Sequence, residues 1–544
     1  MKKLLFVIAL CCSATAFAQQ DAWVYFTDKQ DTEFYLENPL QMLTQRSLDR
    51  RAAQNIALDT KDVPVTQAYV DQVEAASGIT VLAKSKWLNA VHVRGFQLSI
   101  NALSNLNFVA SVDFANDALD ANSDRQLQSG RPPANLPVAN SSARQLNIQA
   151  DFNYGTSENQ IQMLNGHLLH QQNHTGTGKI IAIMDAGFPG VDTAPPFQRL
   201  FDNNLVLGGY NFVDRDQNIY SRNSHGTLVL STMGGYAEGQ LVGTAPDSQY
   251  YLFITEAIEY ENPLEESLWV EAAEMADSLG VDIITTSLGY PAYDNPAYNY
   301  SYEERNGTKA FISRGADIAF SRGMVVVVSG GNEGGSDDNH VSVPADAFDV
   351  LSIGAVNASE EYASFSSIGP TVDGRVKPDV VAQGVAAVIA DETGEISFAN
   401  GTSFSGPIIA GMVATFWSAV PGLTNRQVTD FVKQSSDLFS NPTPLKGYGV
   451  PDFNLALQNA LAVDQYAEDI FTLWPNPVRD AIHLEASVSE PVQLYVYDQL
   501  GQVVLQGHLN AQTKTLDCSS LASGIYLYKL TTLTGAKTGK FIKI

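Results

Sequence analysis

Between about residues 148 and 462 the chain alternates short, near-continuous apolar runs with longer stretches whose apolar residues recur at helical spacing. The runs lie at 180–184, 250–254, 281–285, 324–328 and 350–353; the helical stretches lie at 263–279, 308–322, 405–419 and 424–435. Strands apolar on both faces must be covered on both, and strands separated by helices pair in parallel. The pattern therefore predicts an α/β domain with a parallel sheet between two helical layers. Ligands of such sheets bind beyond the carboxyl ends of the strands. Upstream, apolar runs at 23–26 and 90–93 mix with helical stretches around 40–55 and 65–76, which predicts a small α+β unit. Downstream, Val492, Leu494 and Val496 alternate with Gln493, Tyr495 and Tyr497, and similar runs recur at 525–528 and 541–544. Period two without any helical period predicts a small all-β sandwich over 470–544.

Two polar stretches punctuate these units. Residues 129–142 are rich in Pro, Gly, Ser and Asn, a composition that buries no core and reads as an exposed linker, the kind of segment proteases cut. Residues 463–469 read as a second, short linker. At the N-terminus Lys2-Lys3 precede an apolar run ending at Cys12, and Ala16-Phe17-Ala18 forms a small-x-small cleavage pattern. This predicts a signal peptide over 1–18, since the run is shorter than the roughly 20 residues that span a bilayer. The expected organisation is thus 1–18 leader, 19–147 N-terminal unit with its linker, 148–462 α/β domain, 463–469 linker and 470–544 β-sandwich. A length of 544 residues accommodates that many units.

Charge and cysteine content narrow the function. The net charge of −27 disfavours nucleic acid and anionic membrane surfaces as partners. Only Cys11, Cys12 and Cys518 occur, two of them in the leader, so a disulfide scaffold or thiolate zinc site is excluded. Cys518 reads as a small buried apolar residue.

Three short segments set a reactive side chain beside glycine at a strand end or helix start. Asp185 follows the run 180–184 and precedes Ala186-Gly187. His225 stands in Asn223-Ser224-His225-Gly226-Thr227, and Ser403 stands in Asn400-Gly401-Thr402-Ser403-Phe404-Ser405-Gly406-Pro407, just ahead of an apolar helix. Singly, each fits a turn cap, a satisfied histidine or a serine N-cap. Together they are the parts of a nucleophilic triad. A serine at a helix N-terminus also presents its own N–H to a developing oxyanion, and Asn332 in Val328-Ser329-Gly330-Gly331-Asn332-Glu333-Gly334 supplies a second donor.

The order Asp, His, Asn, Ser, with Gly243-Thr244-Ala245-Pro246, Ser287-Leu288-Gly289 and the stretch from Ser364 through Asp373-Gly374-Arg375 to Asp379, resembles the subtilisin family of serine proteases over roughly 170–435. The resemblance implies Asp185 as orienting acid, His225 as general base, Ser403 as nucleophile and Asn332 as oxyanion donor, hydrolysing peptide bonds through an acyl-enzyme. It also implies that Ser287, Leu288 and Gly289 pair with an extended substrate, with Gly330 and Gly331 beside them. Two departures stand out. Ala186 replaces a hydroxyl residue able to support the aspartate, and Phe404-Ser405 replace Met-Ala after the nucleophile.

The rivals lack parts. An α/β-hydrolase elbow needs G-x-S-x-G and a later histidine, whereas Ser405 occupies the final glycine position and only His483 and His508 follow. An inactive, protease-shaped binding protein would not need all four functional residues. His167, His170 and His174 lack an accompanying HExxH and read as a solvated helix end. Asp337-Asp338-Asn339 leaves a structural calcium optional; no cofactor is needed for the chemistry. The phrases at 23–29 and 85–91 resemble propeptides of a bacterial subtilisin-like subgroup, which implies a self-processing precursor cut within 121–147, with the propeptide end in the cleft until then. Leu473-Trp474-Pro475-Asn476-Pro477-Val478 and the final Lys540-Phe541-Ile542-Lys543-Ile544 resemble the sorting domain of the type IX secretion system of Bacteroidetes. The resemblance implies protein or peptide substrates, the secretion machinery as partner, an extracellular or outer-membrane-surface location, and a monomer.

Overall fold

Valine and isoleucine fill the apolar runs, and their branched side chains suit a pleated sheet better than a helix. The computed structural model describes residues 19–120, 152–469, 471–486, 492–498, 501–509, 514–531 and 536–544. The leader expected over 1–18 and the segment 121–147 in which cleavage is expected lie outside them. So does any contact of the latter with the cleft.

The first unit begins with four strands, β1 (Gln20–Phe26), β2 (Ile79–Ser85), β3 (Ala90–Gly95) and β4 (Val109–Phe114), in an antiparallel sheet of order β2-β3-β1-β4. Seven more, β5 (Ile180–Asp185), β6 (Val206–Asn211), β7 (Gln249–Ile254), β8 (Ile283–Thr286), β9 (Val325–Ser329), β10 (Leu351–Val356) and β11 (Val380–Gln383), form a parallel sheet of order β11-β10-β9-β8-β5-β7-β6. The register sets Ile181 against both Ile283 and Tyr250, and every residue of β5, β8, β9, β10 and β11 is buried. At about 1.5–3 kcal/mol for each fully buried aliphatic side chain, these runs supply much of the drive to fold.

The helices are α1 (Gln45–Ala53), α2 (Gln67–Glu74), α3 (His225–Gly234), α4 (Leu264–Leu279), α5 (Phe311–Ser321), α6 (Thr402–Ala419) and α7 (Asn425–Gln434). Helix α6 is buried on all sides along almost its whole length, as expected of a helix apolar all round. The N-terminal sheet packs on α4. Trp23, Trp87 and Ala90 share one buried cluster with Trp269 and Phe311, and the Trp23 ring stacks on Phe311 at 5.1 Å. Around that apolar contact, Arg50 and Arg51 bond the two carboxylate oxygens of buried Asp277 at 2.6 and 2.5 Å, and Arg46 bonds Asp282 at 2.7 Å.

The second unit holds two antiparallel sheets. One has three strands, Phe471–Trp474, Ala481–Ala486 and Thr515–Asp517; the other has four, Val492–Tyr497, Val503–Leu509, Gly524–Thr531 and Ala536–Lys543. They enclose Val478, Ile482, Leu494, Val496 and Phe541 together with unpaired, buried Cys518.

Some expectations shift. The 463–469 stretch belongs to a helix, Phe453–Asp469, because Asn454 to Val463 is rich in Ala and Leu and meets neither Gly nor Pro. His170 is no solvated helix end: it is fully buried, with Nδ1 at 2.9 Å from the Tyr154 hydroxyl and Nε2 at 3.2 Å from the Thr244 carbonyl. Burial lowers its pKa to about 4, so it is a neutral core residue. Among the described residues no helix is long and apolar enough to cross a membrane.

Candidate active site

Asp185 closes β5 at its carboxyl end and is fully buried. Its Oδ1 accepts the Ala186 N–H at 2.8 Å and lies 2.8 Å from His225 Nδ1. With no hydroxyl at position 186, Asp185 Oδ2 is buried without a partner among the described residues. His225 opens α3, and the Asn223 side chain accepts its N–H at 2.9 Å. The two loops approach closely at Gly226, where a Cβ would stand 2.5 Å from the Gly187 carbonyl oxygen and 2.6 Å from the Phe188 ring. Only glycine lets the histidine come that near the aspartate.

Helix α6 starts three residues earlier than its apolar pattern suggests, so Ser403 sits within the first turn, 8% exposed. The first N–H groups of a helix have no intrahelical acceptor, which leaves the Ser403 N–H for a ligand. Pro407, four residues on, has no N–H to return to the Ser403 carbonyl. The Ser287 hydroxyl fills that place, donating to the Ser403 carbonyl at 2.9 Å, while Ser403 Oγ donates to the Ser287 carbonyl at 3.3 Å. The reciprocal pair ties the end of β8 to the nucleophile candidate. Among the described residues no hydrogen bond joins Ser403 Oγ to His225. Such bonds are commonly long without substrate.

Asn332 follows β9, and its Oδ1 accepts both the Thr402 N–H at 2.9 Å and the Thr402 hydroxyl at 3.1 Å. That anchors the amide oxygen and leaves Nδ2 to donate. Gly401 has φ +147°, and a Cβ there would lie 3.6 Å from Ser403 N and 3.7 Å from Asn332 Nδ2. Glycine thus keeps open the space on which both donors converge.

Ser287, Leu288, Gly289, Gly331, Asn332, His225 and Ser403 line one cavity of about 280 Å³. Gly330 does not line it. Its N–H donates to Ile353 and its carbonyl accepts from Ser342, so Ser329 lines the wall instead. Leu288 and Gly289 make no backbone hydrogen bond within the described chain and are free to pair with an added strand.

Three family models match the chain. The "Peptidase S8 propeptide domain, Bacteroidota" matches 21–130, the "Subtilase family" matches 176–450, and the "Secretion system C-terminal sorting domain" matches 472–544. The chain belongs to the subtilase family. It is 32% identical to a subtilisin of Bacillus pumilus over 279 residues, 51% of this chain and 90% of that protein. It is 31% identical to Subtilisin NAT of Bacillus subtilis subsp. natto over 284 residues, 52% of this chain and 66% of that protein. A crystal structure of an epidermin leader peptide processing serine protease from Staphylococcus aureus shares the fold, with TM-score 0.53 and 14% identity over 81% of this chain and 98% of that one. The subtilase carries a sorting domain that marks it for export.

Electrostatics in the subtilase cleft follow from burial. Desolvation alone would lower the His225 pKa, but the charge and hydrogen bond of Asp185 outweigh it and hold the pKa above the ordinary value. Glu256, at the carboxyl end of β7, lines the same cavity and was not singled out in the sequence. Burial, reinforced by the charges of Glu261 and Asp185 and opposed by His225, pushes its carboxyl up to about 8. Its place just beyond a strand end was the available signal.

In the acidic loop at 337–339 the Asp338 carboxylate is paired with the guanidinium of buried Arg305. Among the described residues no cluster of three or more His, Cys, Asp or Glu is arranged to hold a metal.

Proposed function

We propose that this subtilase is an exported serine endopeptidase whose nucleophile is Ser403. The observation that carries the reading is the Asp185–His225 hydrogen bond at 2.8 Å beside a cavity shared by Ser403 and Asn332. Rotation about χ1 turns Ser403 Oγ from the Ser287 carbonyl toward His225 Nε2. The imidazole takes the hydroxyl proton as Oγ bonds to the scissile carbonyl carbon. Asp185 holds the Nδ1–H tautomer and stabilises the imidazolium. The tetrahedral oxyanion accepts from Asn332 Nδ2 and the Ser403 N–H, donors already fixed by Thr402 and the start of α6. His225 returns the proton to the leaving amine, and water, deprotonated in turn by His225, releases the acyl group from Oγ. The substrate backbone lies along Leu288 and Gly289 as an added strand.

The N-terminal unit acts as a propeptide. It buries Trp23 and Trp87 against α4 and so templates a parallel sheet whose long-range contacts form slowly. It is removed by self-cleavage within 121–147, and the β-sandwich directs the monomeric chain through type IX secretion. Expression of Ser403→Ala tests both activities at once. Loss of casein hydrolysis together with accumulation of the uncut precursor supports the reading; a normally processed or hydrolytic variant contradicts it.

A further inference from the structure

Among the described residues, two carboxylates and no lysine or arginine line the cavity around Ser403. Glu333 is engaged, since its Oε2 accepts the Ser367 hydroxyl at 2.7 Å. Glu256 is not. No hydrogen-bond donor or ion-pair partner reaches its carboxylate among the described residues, and Asp185 and Glu261 add like charge nearby. The imidazolium of His225 is a positive neighbour, but His225 must be neutral to act as a base. A half-buried carboxylate facing a cleft, with no bonded cation among the described residues, is completed by one brought in by a ligand.

The endopeptidase reading above, on which this inference rests, fixes where that cation would come from. In a strand laid along Leu288 and Gly289, successive side chains point to opposite sides. The Ser342 hydroxyl stands against Gly289 and Gly331, whereas Glu256 is near enough to His225 for its charge to act on the imidazole; in this pose the residue that carries the scissile carbonyl meets the wall of Ser329, Gly331 and Ser342, and the residue before it meets His225 and Glu256. We propose that Glu256 is a specificity-determining residue that selects substrates with lysine or arginine immediately before the residue whose carbonyl is cleaved. Ile258, in the same lining and 60% exposed, offers apolar surface to the aliphatic stem of such a side chain. Glutamate at that substrate position meets like charge and is rejected.

The test uses the processed enzyme at pH 9, where Glu256 is ionised, and peptides that differ only at that position: lysine, its uncharged isostere norleucine, or glutamate. The wild type is expected to favour lysine over norleucine by about tenfold in kcat/KM, the scale of one charge pair in a partly desolvated interface. Glu256→Gln should bring the ratio to about one, and Glu256→Lys should invert the order in favour of glutamate. A wild-type ratio near one, or a lysine preference that survives both substitutions, overturns the assignment. The wild-type panel decides even if a variant fails to fold. No cleavage of any peptide, with Ser403 also inert to fluorophosphonate, would instead overturn the endopeptidase reading and this inference with it.

Discussion

At the scale of single residues, the proposed base sets the pH dependence. His225 is active only when neutral, and Asp185 raises its pKa, so activity is lost as pH falls through a value above the ordinary one of about 6.5. A kcat/KM profile on an uncharged peptide should show this acid limb; a limb below about 6 would contradict the coupling to Asp185. The oxyanion assignment makes a different demand. Asn332→Ala should lower kcat by about 10²–10³ while KM changes little, because the Nδ2 contact forms only as charge develops. Most of these residues were legible because each reactive side chain stands beside glycine at the end of an apolar run. Glu256 was not, since one glutamate in an acidic chain is marked only by its place just beyond a strand end, and its position in the cavity beside His225 is set by the fold. Gly330 was placed in the wall by its neighbours in sequence, whereas its own backbone groups bond to Ile353 and Ser342.

At the scale of elements, the contact between the N-terminal sheet and α4 concentrates buried charge on one residue. Asp277 is fully buried and holds both Arg50 and Arg51; Asp277→Ala leaves two guanidinium groups without that partner and should destabilise the precursor by about 3–5 kcal/mol. Urea melts of the precursor carrying Ser403→Ala, with and without Asp277→Ala, measure this, and a difference below about 1 kcal/mol would contradict the role given to the pair. The central strands could be read from sequence because their apolar runs are nearly continuous. The edge strand β6 could not: Val206-Leu207-Gly208-Gly209-Tyr210-Asn211 is only half-buried and holds two adjacent glycines, which resembles a turn. The start of α6 was read late because Thr402 and Ser403 are polar; their place in the helix is set by Asn332 and Ser287 rather than by apolar period.

At the scale of the whole molecule, three matched regions divide one task among folding, chemistry and export. The β-sandwich has its own buried core, so sorting is separable from catalysis. Deleting 470–544 should leave hydrolytic activity in a periplasmic extract and remove it from the culture medium; activity that still reaches the medium contradicts the export role. The central claim, that Ser403 is the activated nucleophile, is tested most directly by reacting the processed enzyme with a labelled fluorophosphonate and locating the adduct by mass spectrometry. One adduct on Ser403, absent from His225→Ala, is the predicted result; an unmodified Ser403 in folded, processed protein would contradict it.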